Sequence, residues 1–261
     1  MKTFILLVPV LLLTRISHSQ GTSTPGLSKS FQGHDGAFVV YDMNRNTYTR
    51  YNEKRCAERF LPASTYKIPN AIIGLETAVI PDSDYVIKWD STHYQIDEWN
   101  HDQTLKSALQ YSAVWYFQEL ARRVGREREQ HFLDTLGYGN RTIGDKVDRF
   151  WLDNSLKISA DEQVEFLKKF YKEELPVSKR SMEIVKAIMS TETHGNAVIK
   201  FKTGTGHTDH FIGWLVGYVE KEGDVYIFAF NADAQDFQTV SGLRNEAPIE
   251  IMKEMKILPK E

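Results

Sequence analysis

The sequence of 261 residues contains a single cysteine, Cys56. One thiol excludes an internal disulfide, so stability must come from a hydrophobic core. Hydrophobic residues make up 41% of the chain and aromatic residues 12%, which is enough to build one. No thiol-activating pattern surrounds Cys56, and we interpret it as a packing residue.

The chain also lacks any run of five or more Lys and Arg residues, internal repeats and a low-complexity linker. Its formal net charge is −3. A mildly acidic chain without a basic block has no electrostatic attraction to phosphates, which argues against a nucleic-acid partner.

No hydrophobic run reaches the length of about 20 residues that crosses a bilayer. The apolar run at 4–13 follows a positive start and precedes Ser17-His18-Ser19, a small-x-small pattern. These features predict a signal peptide at 1–19, cleaved after Ser19. We therefore expect an exported, periplasmic protein that has no membrane contact once the signal is removed.

Strand patterns lie at both ends of the chain and helix patterns lie between them. The sequence predicts strands at 36–41, 46–51, 197–202, 211–220 and 225–231. It predicts helices at 68–79, 112–124 and 126–136, one opening with a capping box at Ser159, and a last one at 245–257 with Pro248 in its first turn.

Strands from both ends can share a sheet only if the middle of the chain is inserted between them. This arrangement predicts an α+β fold, with an antiparallel sheet flanked by helices plus a helical lobe. We expect residues 20–261 to form a single domain. The sheet lobe would include about 20–63 and 155–261, and the helical lobe about 64–154.

Ser64 and Lys67 lie where a helix is predicted to begin, so both would be on one helix face. A serine hydroxyl becomes a nucleophile when a base takes its proton. A lysine can be this base when burial disfavours its charged form. The same pair also fits a helix start with a serine cap and an exposed lysine.

Two further elements carry polar groups. Lys202, Thr203 and Gly204 end a predicted strand, where the ammonium and hydroxyl could bind a carboxylate and the glycine could let a substrate approach. An ordinary strand end followed by a turn would look the same. Ser112 opens a predicted helix and could be only its N-cap.

Taken together, the three elements resemble the penicillin-recognising serine enzymes, and in detail the class D β-lactamases, or oxacillinases. The resemblance rests on Ser64-Thr65-Tyr66-Lys67, Trp99-Asn100-His101-Asp102, Ser112-Ala113-Val114, Tyr138-Gly139-Asn140, Phe150-Trp151-Leu152, Lys202-Thr203-Gly204 and Gly213-Trp214. It implies a serine β-lactamase/penicillin-binding-protein-like fold and a small-molecule β-lactam substrate. It also implies a role in antibiotic resistance.

The resemblance implies the following catalytic roles. Ser64 would attack the lactam carbonyl and form an acyl-enzyme, with Lys67 as the general base. Ser112, helped by Lys202, would relay a proton to the lactam nitrogen. The backbone N–H groups of Ser64 and Thr205 would form the oxyanion hole.

The resemblance also implies a substrate-binding edge formed by Thr203, Gly204, Thr205 and Arg244. Thr203 and Arg244 would hold the substrate carboxylate, with Arg244 supplying a planar fork. Arg244 could otherwise be a cap or a surface charge on the last helix.

In class D enzymes the base is an N-carboxylated lysine, so the resemblance implies that CO2 forms a carbamate on Lys67. Only a neutral amine adds CO2, which requires a dry site. Val114 would keep polar groups away, and the Trp151 indole could donate to the carbamate, although core packing would also explain Trp151. No other cofactor is expected. His207, Asp209 and His210 lack a further ligand at fixed spacing, so no metal is predicted.

Two other functions remain open. A β-lactam receptor would be acylated without turnover, and a small penicillin-binding protein would act on cell-wall peptides. Receptors are tethered to membrane segments and tend to have Asn at the position of Val114. The cleavable signal and Val114 therefore favour hydrolysis over a receptor, and Val114 and Trp151 favour it over a penicillin-binding protein.

Overall fold

The structure, a computed structural model, describes residues 26–260. The predicted signal peptide at 1–19 and its cleavage after Ser19 lie outside these residues. The helices are α1 (Glu53–Ala57), α2 (Lys67–Glu76), α3 (Leu105–Gln110), α4 (Val114–Val124), α5 (Arg126–Leu136), α6 (Ala160–Tyr171), α7 (Lys179–Ile188) and α8 (Phe237–Glu254). Within residues 26–260, none of the helices combines the length and apolarity needed to cross a membrane.

The strands form one large sheet and one small one. They are β1 (Gly36–Asp42), β2 (Thr47–Tyr51), β3 (Val86–Ile87), β4 (Gln103–Thr104), β5 (Ser190–His194), β6 (Ala197–His207), β7 (Phe211–Lys221) and β8 (Asp224–Ala234). The six-stranded sheet has the order β2-β1-β8-β7-β6-β5, and every neighbouring pair is antiparallel. The α+β prediction is confirmed, including the first hairpin, where Tyr41 lies opposite Tyr48.

Both faces of the large sheet are buried. Along β1, Ala37 and Val39 pack into one core, and Phe38 and Val40 pack into another. Helix α8 covers the second face, together with a 3-10 helix at Leu27–Phe31. Helix α6 covers the first face and joins it to the helical part of the molecule. Strands buried on both faces are apolar throughout, as in β1.

Two predicted helices have the expected ends. The Ser159 hydroxyl accepts a hydrogen bond from the Glu162 N–H at 3.1 Å, and the Glu162 carboxylate accepts from the Ser159 N–H at 3.0 Å. This is the predicted capping box of α6. Helix α5 has the predicted bounds, and Gly137 ends it in the left-handed conformation.

Two other helices begin at different residues from those predicted. Helix α4 begins at Val114 because Ser112 has a φ of 56° and lies in a turn before it. Helix α8 begins eight residues before the predicted start, because the Asp236 carboxylate caps it by accepting from the Thr239 N–H at 2.9 Å. Pro248 therefore lies inside α8, and not in its first turn.

Candidate active site

The turn that carries Ser64 is packed against the edge of β6. A 3-10 helix at Ala63–Tyr66 runs directly into α2, and Ala63 has a φ of 48°. A Cβ atom on Gly204 would lie 3.0 Å from the Pro62 carbonyl oxygen and 3.2 Å from the Thr65 nitrogen. A glycine at 204 thus lets the strand approach the Ser64 turn closely, a contact that the sequence did not predict.

Two buried side chains hold this turn in place. The Trp214 indole donates to the Leu61 carbonyl at 2.9 Å, which ties the turn to β7. The Thr65 hydroxyl donates to the Pro62 carbonyl at 2.8 Å and accepts from the Gln163 amide of α6 at 2.8 Å. The nucleophile is therefore positioned by the sheet on one side and by α6 on the other.

The four residues predicted to be catalytic lie in one polar cluster. The Lys67 Nζ atom is 2.6 Å from Ser64 Oγ and 3.2 Å from Ser112 Oγ. Lys202 Nζ is 3.0 Å from Ser112 Oγ on the other side. Lys67 is fully buried, and the N-cap of α4 is Ala113. The alternatives of an exposed lysine and a capping serine are therefore wrong.

Both lysines have lowered pKa values. Burial, and then the neighbouring Lys202 charge, hold the pKa of Lys67 well below its usual value. Burial and the charge of Arg244 lower the pKa of Lys202 to about 7. The Lys67 amine is therefore disposed to be neutral, which is the form that can accept a proton or add CO2.

The environment of Lys67 fits a carbamate. Trp151 is fully buried, and its indole nitrogen has no hydrogen-bond partner among residues 26–260. Its ring stacks on Tyr66, the residue before Lys67, at 5.4 Å between centroids. The Lys67 Nζ atom lies 5.6 Å from the centre of the Phe117 ring. Buried N–H groups normally have a hydrogen-bond acceptor, and a carbamate oxygen would provide one for this indole.

A cavity of about 360 Å³ opens onto the nucleophile. It contains most of the predicted site residues, and its described lining includes no acidic residue: Ser64, Ile96, Trp99, Gln110, Tyr111, Ser112, Val114, Thr203, Gly204, Thr205, Phe237 and Arg244. Arg244 projects from the middle of α8, and its Nη1 donates to the Thr205 hydroxyl. Arg244 is therefore a cavity residue and not a helix cap, and the cavity favours an anionic ligand.

The rim of the cavity is apolar, and no pattern in the sequence indicated this. Ile96, Tyr111 and Phe237 line the cavity with exposed fractions of 43%, 47% and 56%. Trp99 lies beside them, with its indole donating to the Tyr111 carbonyl at 2.9 Å. The Asp236 cap is a sequence signal for a helix start at Phe237. The sequence holds no signal that brings Phe237 to the same cavity as Ile96, Trp99 and Tyr111.

Cys56 and His210, which the sequence also offered as candidate functional residues, lie in other parts of the structure. Burial raises the pKa of Cys56 to about 12, and its Sγ lies 3.2 Å from the Tyr51 carbonyl, which confirms a packing residue. His210 Nε2 lies 3.2 Å from an Asp233 carboxylate oxygen, and Asp233 also pairs with Arg55 at 2.7 Å. His210 thus lies beside the Arg55–Asp233 ion pair near the end of β8.

Comparison with known proteins agrees with this geometry. Residues 36–254 match the penicillin binding protein transpeptidase domain. The chain is 41% identical over 239 residues to the β-lactamase OXA-48 from Klebsiella pneumoniae, covering 89% of this chain and 90% of that protein. It is 39% identical over 265 residues to the β-lactamase OXA-10 from Pseudomonas aeruginosa, covering 99% of each.

The structure of the class D β-lactamase FUS-1 (OXA-85) from Fusobacterium nucleatum subsp. polymorphum superposes with a TM-score of 0.87. The two are 36% identical, covering 90% of this chain and 99% of that one. The C-terminal domain of the BlaR penicillin receptor from Bacillus licheniformis is also similar, with a TM-score of 0.85 and 37% identity over 89% of this chain and 96% of that one. With the match to the transpeptidase domain and to β-lactamases along nearly its whole length, this chain belongs to the class D serine β-lactamase family.

Proposed function

We propose that this protein hydrolyses penicillin-type β-lactams through an acyl-enzyme on Ser64, with an N-carboxylated Lys67 as the general base. The observation that carries the proposal is the cluster of Ser64, Lys67 and Ser112, together with the Trp151 indole, which stacks on Tyr66 and has no hydrogen-bond partner among residues 26–260. Such hydrolysis would confer β-lactam resistance. The apolar run at 4–13 supports export to the periplasm.

Acylation follows from the short distances around Ser64. Its proton leaves toward the base carried by Lys67, whose Nζ atom lies 2.6 Å from Oγ, as Oγ forms a bond to the lactam carbonyl carbon. The carbon–nitrogen bond of the lactam breaks, and its nitrogen takes a proton from Ser112. The proton taken from Ser64 can then pass from the base on Lys67 to Ser112, whose Oγ atom lies 3.2 Å from Lys67 Nζ and 3.0 Å from Lys202 Nζ. The N–H groups of Ser64 and Thr205 would stabilise the oxyanion.

Deacylation requires a base that activates water after the ester has formed. A carbamate on Lys67 supplies an anionic oxygen for this purpose. Lys67 provides the neutral amine, Trp151 the N–H donor that would hold the group, and Val114 and Phe117 an apolar surrounding. The water oxygen would bond to the acyl carbon while one of its protons passes to this base. Ser64 Oγ would take that proton as its ester bond breaks and the product acid leaves.

Substrate binding follows from the charge and shape of the cavity. Arg244, Thr203 and Lys202 offer a guanidinium, a hydroxyl and an ammonium to the carboxylate of a penicillin. The exposed rings of Tyr111 and Phe237 would cover a bulky apolar side chain of the antibiotic. We therefore expect oxacillin-like penicillins among the substrates.

A β-lactam sensor is the second candidate, because the penicillin-receptor domain of BlaR has a similar fold and sequence. A sensor and a hydrolase share acylation of Ser64 and differ only in deacylation. Turnover is therefore the property that separates them.

The test compares wild-type protein with Lys67→Ala and with the control Lys200→Ala, whose Nζ bonds to the Lys186 carbonyl at 2.8 Å. With saturating bicarbonate and excess benzylpenicillin, wild type and Lys200→Ala should release many products per enzyme. Lys67→Ala should stop at one adduct or fewer. A single stoichiometric burst from wild type would identify a sensor, and normal turnover by Lys67→Ala would refute the base.

A further inference from the structure

Glu129, on α5, is a buried carboxyl group to which the proposed reaction assigns no role. Its side chain is fully buried, and its Oε1 atom has no hydrogen-bond partner among residues 26–260. Its Oε2 atom accepts from the Tyr66 hydroxyl at 2.9 Å. Burial raises the pKa of Glu129 to about 8, so the group is mostly neutral at pH 7.

The partner of Glu129 lies beside the active-site lysine. Tyr66 is the residue between Thr65 and Lys67, and its ring is fully buried. At one end, the ring is fixed to the start of α2; at the other, Glu129 provides its hydroxyl with an acceptor. A buried hydroxyl without an acceptor is destabilising, so the ring would move until its hydroxyl found one.

The ring of Tyr66 also packs face to face against the ring of Trp151. The two rings stack with an interplanar angle of 26°, and Phe150 packs edge-on against both at 5.0 Å. The Trp151 N–H points along its ring plane, so the direction of this single donor depends on the tilt of the ring. Movement of Tyr66 would therefore redirect the donor.

We propose that Glu129 is a positioning residue for this enzyme: by accepting the Tyr66 hydroxyl, it keeps that ring stacked beneath Trp151 and the indole N–H directed at the Lys67 carbamate. This positioning role rests on the proposed function, because the proposed carbamate on Lys67 is the acceptor for the indole N–H. Glu129 touches neither the substrate nor the reacting atoms in this account, and acts only through Tyr66.

The relation between Glu129 and Tyr66 separates positioning from simple stability. Glu129→Leu leaves the Tyr66 hydroxyl buried without its partner. Adding Tyr66→Phe removes that hydroxyl and leaves an apolar pair, which satisfies the ring without a hydrogen bond. Glu129→Gln keeps a neutral acceptor. Positioning predicts that Glu129→Leu is defective, and that both the double variant and Glu129→Gln are restored.

The experiment titrates each protein with ¹³C-labelled bicarbonate at fixed pH and follows the carbamate carbon by NMR without substrate. The bicarbonate concentration that restores half-maximal penicillin hydrolysis is measured in parallel. Glu129→Leu should raise both half-saturation values about ten-fold, as when an orienting partner is lost from a ligand site. The double variant and Glu129→Gln should lie within about two-fold of wild type, the precision of such a comparison.

A buried tyrosine elsewhere in the helical part provides the control. The Tyr116 hydroxyl donates to the Tyr85 carbonyl at 3.3 Å, and Tyr116→Phe should leave the half-saturation values unchanged. Wild-type half-saturation in Glu129→Leu, with only a lower melting temperature, would overturn the inference. If Glu129→Leu does not fold, a ten-fold rise of the half-saturation values in Glu129→Gln or in the double variant would overturn the inference. Absence of a carbamate signal from wild type would instead refute the proposed function itself.

Discussion

Replacing Glu129 by glutamine removes a buried ionisable group while preserving its shape and its acceptor for Tyr66. In the folded protein, burial raises the pKa of Glu129 to about 8, from an ordinary value of 4.5. The folded state therefore keeps a proton that the unfolded chain releases above pH 4.5. A carboxyl group with a raised pKa makes the protein less stable as pH rises between those two values.

The size of this effect follows from the proton balance. With one proton more in the folded state, the free energy of unfolding falls by about 1.4 kcal/mol per pH unit. Between pH 5.5 and 7.5, wild type should lose about 2.5 kcal/mol relative to Glu129→Gln, slightly less than two full pH units because the folded group begins to ionise near its pKa of about 8. The difference is absent below the unfolded pKa and is complete above pH 8 or so.

Urea denaturation of both proteins at four pH values between 5.5 and 7.5 provides the measurement. Taking the difference at each pH cancels the titration of all other groups. Glu173→Gln is the control, because Lys186 lowers the pKa of Glu173 and its difference should be flat over this range. A flat difference for Glu129→Gln as well would show that Glu129 is ionised in the folded protein, which would refute the reasoning.

Three further predictions concern the cavity. Because burial and Arg244 lower the pKa of Lys202 to about 7, its ammonium is lost as pH rises, and KM for benzylpenicillin should rise about ten-fold from pH 6 to 8. Lys202→Arg should make KM nearly independent of pH over this range. A wild-type KM that does not change between pH 6 and 8 would contradict the prediction. Phe237→Ser should raise KM for oxacillin about five-fold and leave the melting temperature nearly unchanged. An equal loss for a penicillin with a small side chain would exclude the proposed contact. Gly206→Ala should lower kcat about 100-fold. Its Cβ would lie 2.4 Å from Leu61 Cδ2 and 3.1 Å from Leu61 Cγ, and because this side chain is buried the contact would push β6 away from the Ser64 turn. Wild-type kcat in that variant would show that the turn adapts.

Much of the sheet could be predicted because most of its strands have local sequence patterns typical of β-strands. The two strands of the first hairpin and the three C-terminal strands are β-formers bounded by polar turns. All five occur, with β6 to β8 longer than predicted. Strand β5 was missed, because Ser190–His194 is an exposed polar edge strand without hydrophobic alternation. Helix α7 was missed too, although Ser178 caps it by accepting from the Ser181 N–H at 3.2 Å.

The position of the site residues could be predicted by motif, but their environment could not. The spacing of Ser64 and Lys67 gave their contact, because three residues make one helical turn. The left-handed turn at Ser112, which places it between two lysines, has no signal of its own in the sequence. Glu129 lies in an Arg- and Glu-rich helix that reads as a solvated face, and only tertiary packing turns its carboxyl inward.

The central claim is that Lys67 releases the acyl group from Ser64 by means of a carbamate. The most direct test is intact-mass measurement of the Ser64 adduct over time after mixing with benzylpenicillin in CO2-depleted buffer at pH 5.5, followed by addition of bicarbonate. The account predicts that the adduct accumulates without bicarbonate, then disappears as hydrolysis resumes. An adduct that persists at saturating bicarbonate, or one that decays equally fast without it, would contradict the claim.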